Sequence, residues 1–249
     1  MHFETDAIVI RKAPFSESSQ IVHLLTAREG RISALARGTY RPKSSFGGAL
    51  DLATRGRAHI VRRKNSELDI LQCFTIQRPY RGVRRRRVRW VACCYLLELV
   101  RSFSWQRDPE TELYRLLDTV LEALDSATDR LAVETWLAFF VVRLLDTAGF
   151  RPAVLTCVNC RQALAGSGLR FSIARGGVLC GDCVSADRSA PVCSNAALEV
   201  HRRLQNGAGP VHSESRTVAA LAEVRRHLDA CVEYRLERPL LTSRLLRRE

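Results

Sequence analysis

Cys157-Val158-Asn159-Cys160 and Cys180-Gly181-Asp182-Cys183 bracket the stretch CVNCRQALAGSGLRFSIARGGVLCGDC (157–183). Two residues between thiols let a tight knuckle turn aim both sulfurs at one tetrahedral ion, and the 19-residue spacer returns the chain with the second pair. Within that spacer, Arg170 to Leu179 reads as a short hairpin turning at Gly176-Gly177. Four thiolates close the coordination shell and leave no position for water or substrate. The expected ion is therefore one structural zinc per chain, held by Cys157, Cys160, Cys180 and Cys183. His212-Ser213-Glu214 resembles the H-x-E of zinc deaminases, but it follows both cysteine pairs, and neither pair has a preceding proline. Ser213 is expected instead to cap a helix.

Working outward, the other five cysteines (Cys73, Cys93, Cys94, Cys193 and Cys231) lie in apolar or mixed segments. They are expected to be small core or surface residues, because free cysteine behaves mainly as a buried hydrophobe. Nine thiols used this way suit a reducing cytosol better than a disulfide framework. The N-terminus, MHFETDAIVI, has no apolar stretch of signal-peptide length. The richest apolar run, Leu131 to Leu145, is interrupted by Glu134 and Arg143 and falls short of the ~20 residues of a membrane helix. No membrane association is expected.

The net charge of +13 is unevenly placed: residues 1–89 hold 19 of the 39 Lys and Arg but 7 of the 26 acids. That end carries +12 and residues 90–249 carry +1. General arginine enrichment, at 36 Arg against 3 Lys, would raise both ends equally. The asymmetry points instead to a polyanion, because each phosphate contact releases counterions and adds sequence-independent affinity. Arginine suits the task, since its planar fork binds phosphate bidentately and stacks on bases.

Hydrophobic patterning divides the rest. From residue 5 to about 77, short apolar runs (7–10, 21–25, 32–36, 58–61 and 68–74) are punctuated by Gly30, Gly38, Pro42, Gly47, Gly48 and Gly56, as in a small all-β barrel or sandwich. Arg57 to Arg63 and Glu67 to Thr75 read as a hairpin joined by Lys64-Asn65-Ser66. After Pro79 a basic segment containing Arg84 to Arg87 leads into the apolar helix WVACCYLLELV (90–100). Asp108-Pro109-Glu110 is a helix start with Asp108 as N-cap, and Leu113 to Leu124 repeat at helical spacing. Further helices are expected over 129–147, 195–205 and, after a break at Gly207, Gly209 and Pro210, over 213–235 with Val218, Leu221, Val224, Leu228 and Cys231 on one side. No phosphate-binding loop, dinucleotide fingerprint or nucleophile elbow occurs, and the six histidines do not pair at ligand spacing. The expectation is a non-enzyme.

The residues also resemble a known family, the bacterial recombination mediator RecO. The likeness runs through Thr5 to Ile10, Glu17 to Thr26, Gly30-Arg31, Ala34 to Gly38, Arg41-Pro42-Lys43-Ser44 and Tyr95 to Leu99. It continues through Leu144-Leu145, Gly149-Phe150-x-Pro152, both cysteine pairs with Gly176-Gly177-Val178, and Arg238-Pro239-Leu240 with Ser243-Arg244. Nearly the whole chain is covered, and the order of basic barrel, helices, inserted zinc knuckles and final helix carries the specificity. Two departures stand out: Tyr40 replaces a basic residue common there, and Arg84 to Arg87 is unusually basic, which shifts the expected DNA footprint toward the junction of barrel and helices.

The resemblance implies an α+β multidomain chain: an OB-fold over 1–80, a helical domain over 81–155 and 185–249, and a zinc module over 156–184. It implies a role in DNA repair and homologous recombination in the bacterial cytosol, in association with the nucleoid. Members bind single- and double-stranded DNA, anneal complementary strands and, with RecR, assist recombinase loading on DNA coated by single-strand-binding protein. Expected backbone contacts are Arg31, Arg37, Arg41, Lys43, Arg62, Arg63 and Lys64, extended by Arg84, Arg85, Arg86 and Arg87, with Tyr40 or Phe46 as base-stacking candidates. The acidic tail of single-strand-binding protein would need an apolar pocket rimmed by arginine, for which Arg101, Arg115, Arg130 and Arg143 are available. The alternative is a non-enzymatic protein-protein adaptor with a structural zinc site.

Overall fold

The structure is a computed structural model and describes every residue except 42, 43, 45, 47, 208–214 and 247–249, with the side chains of 215–217 also outside it. It divides into two compact units, Met1–Ser126 and Ala127–Glu249.

The first unit begins with five strands: β1 (His2–Ser16), β2 (Ser19–Thr26), β3 (Arg31–Ala36), β4 (Arg55–Val61) and β5 (Leu68–Arg78). They close in the order β1-β2-β3-β5-β4, with β3 and β5 parallel and the remaining pairs antiparallel. β1 is long enough to serve both sides: its first half pairs with β4 from His2↔Val61 to Ile8↔Arg55, and its second half pairs with β2 as far as Ser16↔Ser19. Closure leaves the barrel no free edge. Its interior is filled by small and β-branched side chains, Ala7, Val9, Val22, Ile32, Ala34 and Ala58 among them, with Phe46 and Phe74 as plugs. Phe46, one of the two stacking candidates, is therefore a core residue at 4% exposure. The apolar runs predict all five strands, and the β4–β5 hairpin stands where expected.

Ile8 alternates with the core residues Ala7 and Val9, and Ile10 is the extra residue of a bulge between Val9 and Arg11, yet both are buried. The covering comes from α1 (Arg87–Phe103), which contacts β1, and α2 (Thr111–Ser126), which contacts β2. Each such side chain contributes roughly 1.5–3 kcal/mol on burial. α1 follows directly from its sequence, with Val91, Ala92, Cys93 and 95–100 all buried. α2 starts later than the Asp108-Pro109-Glu110 signal implies, because the chain before it is held extended against β3. Arg31 N donates to the Trp105 carbonyl, Arg107 N donates to the Arg31 carbonyl, and the Glu110 carbonyl accepts the first helical bond, from Tyr114 N.

A half-buried carboxylate joins these parts. Asp118 of α2 accepts from the Tyr80 hydroxyl and from Arg55 of β4. Burial, and next the Asp118 contact, push the Tyr80 phenol far above its ordinary value. A 3-10 turn, Arg81–Arg85, then docks on the end of α2, where Val83 N donates to Asp125 Oδ1 at 3.0 Å. Gly82 is required there, since a Cβ would stand 2.1 Å from the Asp125 carbonyl oxygen.

The second unit holds α3 (Arg130–Thr147), β6 (Arg170–Ser172), β7 (Gly177–Leu179), α4 (Asn195–Gln205), α5 (Ser215–Leu236) and the single turn α6 (Ser243–Leu246). Asp129 and Ser194 cap α3 and α4 with their side chains, accepting from Ala132 N and Ala197 N. α3 packs on both α4 and α5. Leu221, Val224 and Leu228 form the expected buried face of α5, whereas Val218 is 47% exposed and does not belong to it. Ser213, expected to cap α5, lies outside the described residues, as do Gly209, Pro210 and the His212-Ser213-Glu214 triplet.

Asp118→Ala is expected to lower the stability of the first unit by about 2–3 kcal/mol in denaturant unfolding, because it leaves the Tyr80 hydroxyl and Arg55 without their shared acceptor. Lys12→Ala, which breaks the exposed pair with Asp51, should leave the midpoint almost unchanged.

Candidate metal centre and nucleic-acid surface

Cys157, Cys160, Cys180 and Cys183 bring one sulfur each to within 4.8 Å of one another. Cys160 Sγ and Cys180 Sγ are 3.7 Å apart. That is close to the edge of a tetrahedron built on metal–sulfur bonds of about 2.3 Å. The knuckles form as the spacing predicts: Arg161 N donates to the Cys157 carbonyl at 2.9 Å, and Cys183 N to the Cys180 carbonyl at 3.0 Å. Arg161 takes a positive φ of 65° to complete the first turn. Cys180 N donates to Cys157 Sγ and Asn159 Nδ2 to Cys183 Sγ, each at 3.4 Å. Burial opposes ionisation of Cys157, but backbone N–H groups, led by that of Cys160, outweigh it and hold the thiol at about 6. This donor set fits a metal ion, and four thiolates fit zinc.

The hairpin β6–β7 is packed tightly beside the first knuckle. Val158 N donates to the Val178 carbonyl and Val178 N to the Ala153 carbonyl, both at 2.9 Å. A Cβ at Gly177 would meet the Ala153 carbonyl oxygen at 2.4 Å, so the second glycine of the pair is demanded by packing, while Gly176 supplies the turn at φ 71°.

The predicted DNA-contact residues divide by environment. Arg37 and Arg41 are exposed in the β3–β4 connection, and Lys43 lies outside the described residues. Arg63 and Lys64 are exposed in the β4–β5 turn. The register places that turn at the other end of β3, since Ser33 pairs with Leu68 whereas Ala36 pairs with Gln20 beside the β1–β2 turn. Arg31 donates to the Arg101 carbonyl. Arg62 pairs with Glu29 at 2.7 Å and lies over the Phe3 ring.

The arginine run is split between the 3-10 turn, an extended Arg86 and the first turn of α1. Arg84 donates to the Pro79 and Leu52 carbonyls and lies over Trp90, and buried Arg89 donates to the Gly82 and Asp125 carbonyls at the end of α2. Arg85, Arg86 and Arg87 are exposed. Because Arg84 reaches Leu52, the run sits against the same β3–β4 connection that carries Arg37 and Arg41.

Tyr40 is 54% exposed and is fixed to the β1–β2 turn, its N–H donating to the Ser18 carbonyl and its hydroxyl to Gln20 Oε1. The same turn carries Phe15, 56% exposed, which the sequence reading misses. The pairing Pro14↔Gln20 followed by Ser16↔Ser19 leaves Phe15 as the extra residue of a β-bulge. A bulge re-aims its side chain, and no alternation pattern reveals it. His23, between Arg11 and Ser33 in register, is held below its ordinary value by burial first and then by Arg11, Arg31 and Arg101, which reports the cationic field on this part of the barrel. Among the described residues no helix is long and apolar enough to cross a membrane.

Comparison with known proteins agrees with the fold. Residues 1–80 match the family Recombination protein O N terminal, and residues 84–244 match Recombination protein O C terminal. The DNA repair protein RecO of Anaeromyxobacter dehalogenans is 33% identical over 241 residues, 96% of this chain and 93% of the relative. That of Symbiobacterium thermophilum is 34% identical over 247 residues, 98% and 96% of the two chains. That of Rhodopirellula baltica is 35% identical over 200 residues, 80% of this chain and 73% of the relative. With both family halves matched in order around a closed five-stranded barrel and a four-cysteine cluster, the chain belongs to the RecO family of DNA repair and recombination proteins.

Proposed function

We propose that this protein is a non-enzymatic mediator that binds single- and double-stranded DNA, anneals complementary strands and acts with RecR on DNA coated by single-strand-binding protein. The observation that carries the reading is the concentration of +12 in residues 1–89, with Arg37, Arg41 and the segment Arg85–Arg87 exposed around one side of a closed OB barrel. A cation that holds two strands lowers their mutual repulsion, and weak, salt-dependent contacts let them search for register before pairing. No nucleotide hydrolysis is needed. Tyr40 and the bulged Phe15 supply π-faces for unpaired bases beside this track, which favours little sequence preference. The reading places the protein in the bacterial cytosol, at the nucleoid.

The four thiolates hold one structural zinc in this proposal, bracing the second unit while DNA contact belongs to the first. For the acidic tail of single-strand-binding protein, Arg130 is the favoured rim residue of the four arginines considered. It lines a cavity of about 750 Å³ with Leu131, Leu221 and Leu246, whose rim carries Arg130, Arg225 and Arg226 together with Asp129, Glu134 and Asp229, the last two acids being paired with Arg225. RecR is assigned to the basic N-terminal half.

Changing Arg37, Arg41 and Lys43 together to Ala should abolish most annealing and flatten the log–log salt dependence of single-strand binding by roughly two units. Tyr40→Ala and Phe15→Ala should each weaken single-strand binding by roughly 1–3 kcal/mol in fluorescence anisotropy, with a smaller effect on duplex. Undiminished annealing in the triple variant would refute the proposed track, and no DNA binding even at low salt would leave the adaptor reading. Protein purified without chelator should contain zinc by elemental analysis. Cys157→Ser should lower the melting temperature yet preserve DNA affinity per folded molecule, and an unchanged melting temperature would contradict the bracing role.

A further inference from the structure

Cys193 stands outside the four-thiol cluster, and its sequence context suggests only a small buried side chain. In the structure it has company. Its Sγ, a carboxylate oxygen of Glu223 and an imidazole nitrogen of His227 all lie within 4.8 Å of one another. Cys193 is 2% exposed and His227 3%. Glu223 and His227 stand one turn apart on α5 and so present donors on one side of that helix. Cys193 arrives from the segment that leaves the cysteine module. That segment is fixed against β6, because Phe171 N donates to the Pro191 carbonyl and Cys193 N to the Leu169 carbonyl, both at 2.8 Å.

The surroundings hold each donor in place. The Glu223 carboxylate accepts from Ser194 N at 2.7 Å and Ser194 Oγ at 2.9 Å, which orients it and leaves lone pairs for a further partner. The His227 ring lies flat on Phe171, with centroids 4.4 Å apart and planes 4° from parallel. Its Nδ1 is 3.4 Å from Nε2 of the fully buried His201, whose own Nδ1 has no hydrogen-bond partner. A ligating histidine that passes its second ring nitrogen to an outer polar group is the usual support of a metal-bound imidazole. The ring also hydrogen-bonds the Val192 carbonyl, and that is the bond an ion would replace. A cavity of about 370 Å³ reaches two of the three donors, Glu223 and His227, along with Ile173, Val192 and Arg226, and has room for a water on that side.

We propose that Cys193, Glu223 and His227 form a second metal site, which takes a borderline-soft divalent cation of the zinc class and pins the segment leaving the cysteine module to α5. One thiolate, one carboxylate and one imidazole are donors this class of ion accepts, and soft or hard cations would be served less well by the mixture. The site is independent of the DNA-binding reading.

The test uses the full chain saturated with Zn²⁺ and then dialysed. Elemental analysis should read two equivalents per chain, falling to one in Cys193→Ala and in Glu223→Gln. Zinc-edge X-ray absorption on the unaltered protein should give about 2.5 sulfurs per zinc, the mean of a four-sulfur and a one-sulfur site, and this reading does not depend on a variant folding. One equivalent with four sulfurs per zinc in the unaltered protein would overturn the proposal. So would two equivalents retained in Cys193→Ala. Either result would leave the trio as a hydrogen-bonded contact between α5 and the module.

Discussion

The bond network at Asp118 is the point on which the first unit turns. One carboxylate accepts from Tyr80 in the linker after β5 and from Arg55 in β4, so α2, the barrel and the start of the basic segment are fixed by the same two oxygens. The cost of partly desolvating that charge is offset while both partners are present. Tyr80 adopts φ 42°, a backbone conformation an aromatic residue rarely takes, and its anchored hydroxyl is what holds it there.

A chain with so few acids in its first third uses them mainly on structural arginines. Buried Asp69 faces Arg107 at 3.0 Å and Arg62 at 4.0 Å, Asp6 pairs with Arg57, and Glu29 with Arg62. Arg84 and Arg89 spend donors on backbone carbonyls. Arg37, Arg41 and Arg85 are exposed beyond this scheme. The positive potential on the barrel is therefore a remainder: the arginines the fold does not consume are the ones presented to solvent, where a phosphate backbone can reach them.

Much of this was legible in the residues. The four-cysteine cluster follows from spacing because knuckle geometry is local: two intervening residues are enough to aim two sulfurs, whatever surrounds them. The five strands follow from apolar runs and glycine punctuation, and α3 and α4 from apolar helical pattern ended by Gly149 and Gly207. The start of α2 was misplaced because a local signal at Asp108-Pro109-Glu110 lost to pairing of the preceding segment with β3. Phe15 was invisible because a bulge is a property of two strands in register.

The order of residues alone determined that one end of this protein is strongly cationic, that four thiols converge, and that a barrel precedes helices. Only the tertiary structure decided which arginines are spent inside the fold, that Phe46 plugs the core while Tyr40 stays exposed, and that Cys193 meets Glu223 and His227. The physical reason is range. Spacing fixes contacts within a turn or a hairpin, whereas burial and pairing between residues 30 or more positions apart arise only when the chain has closed on itself.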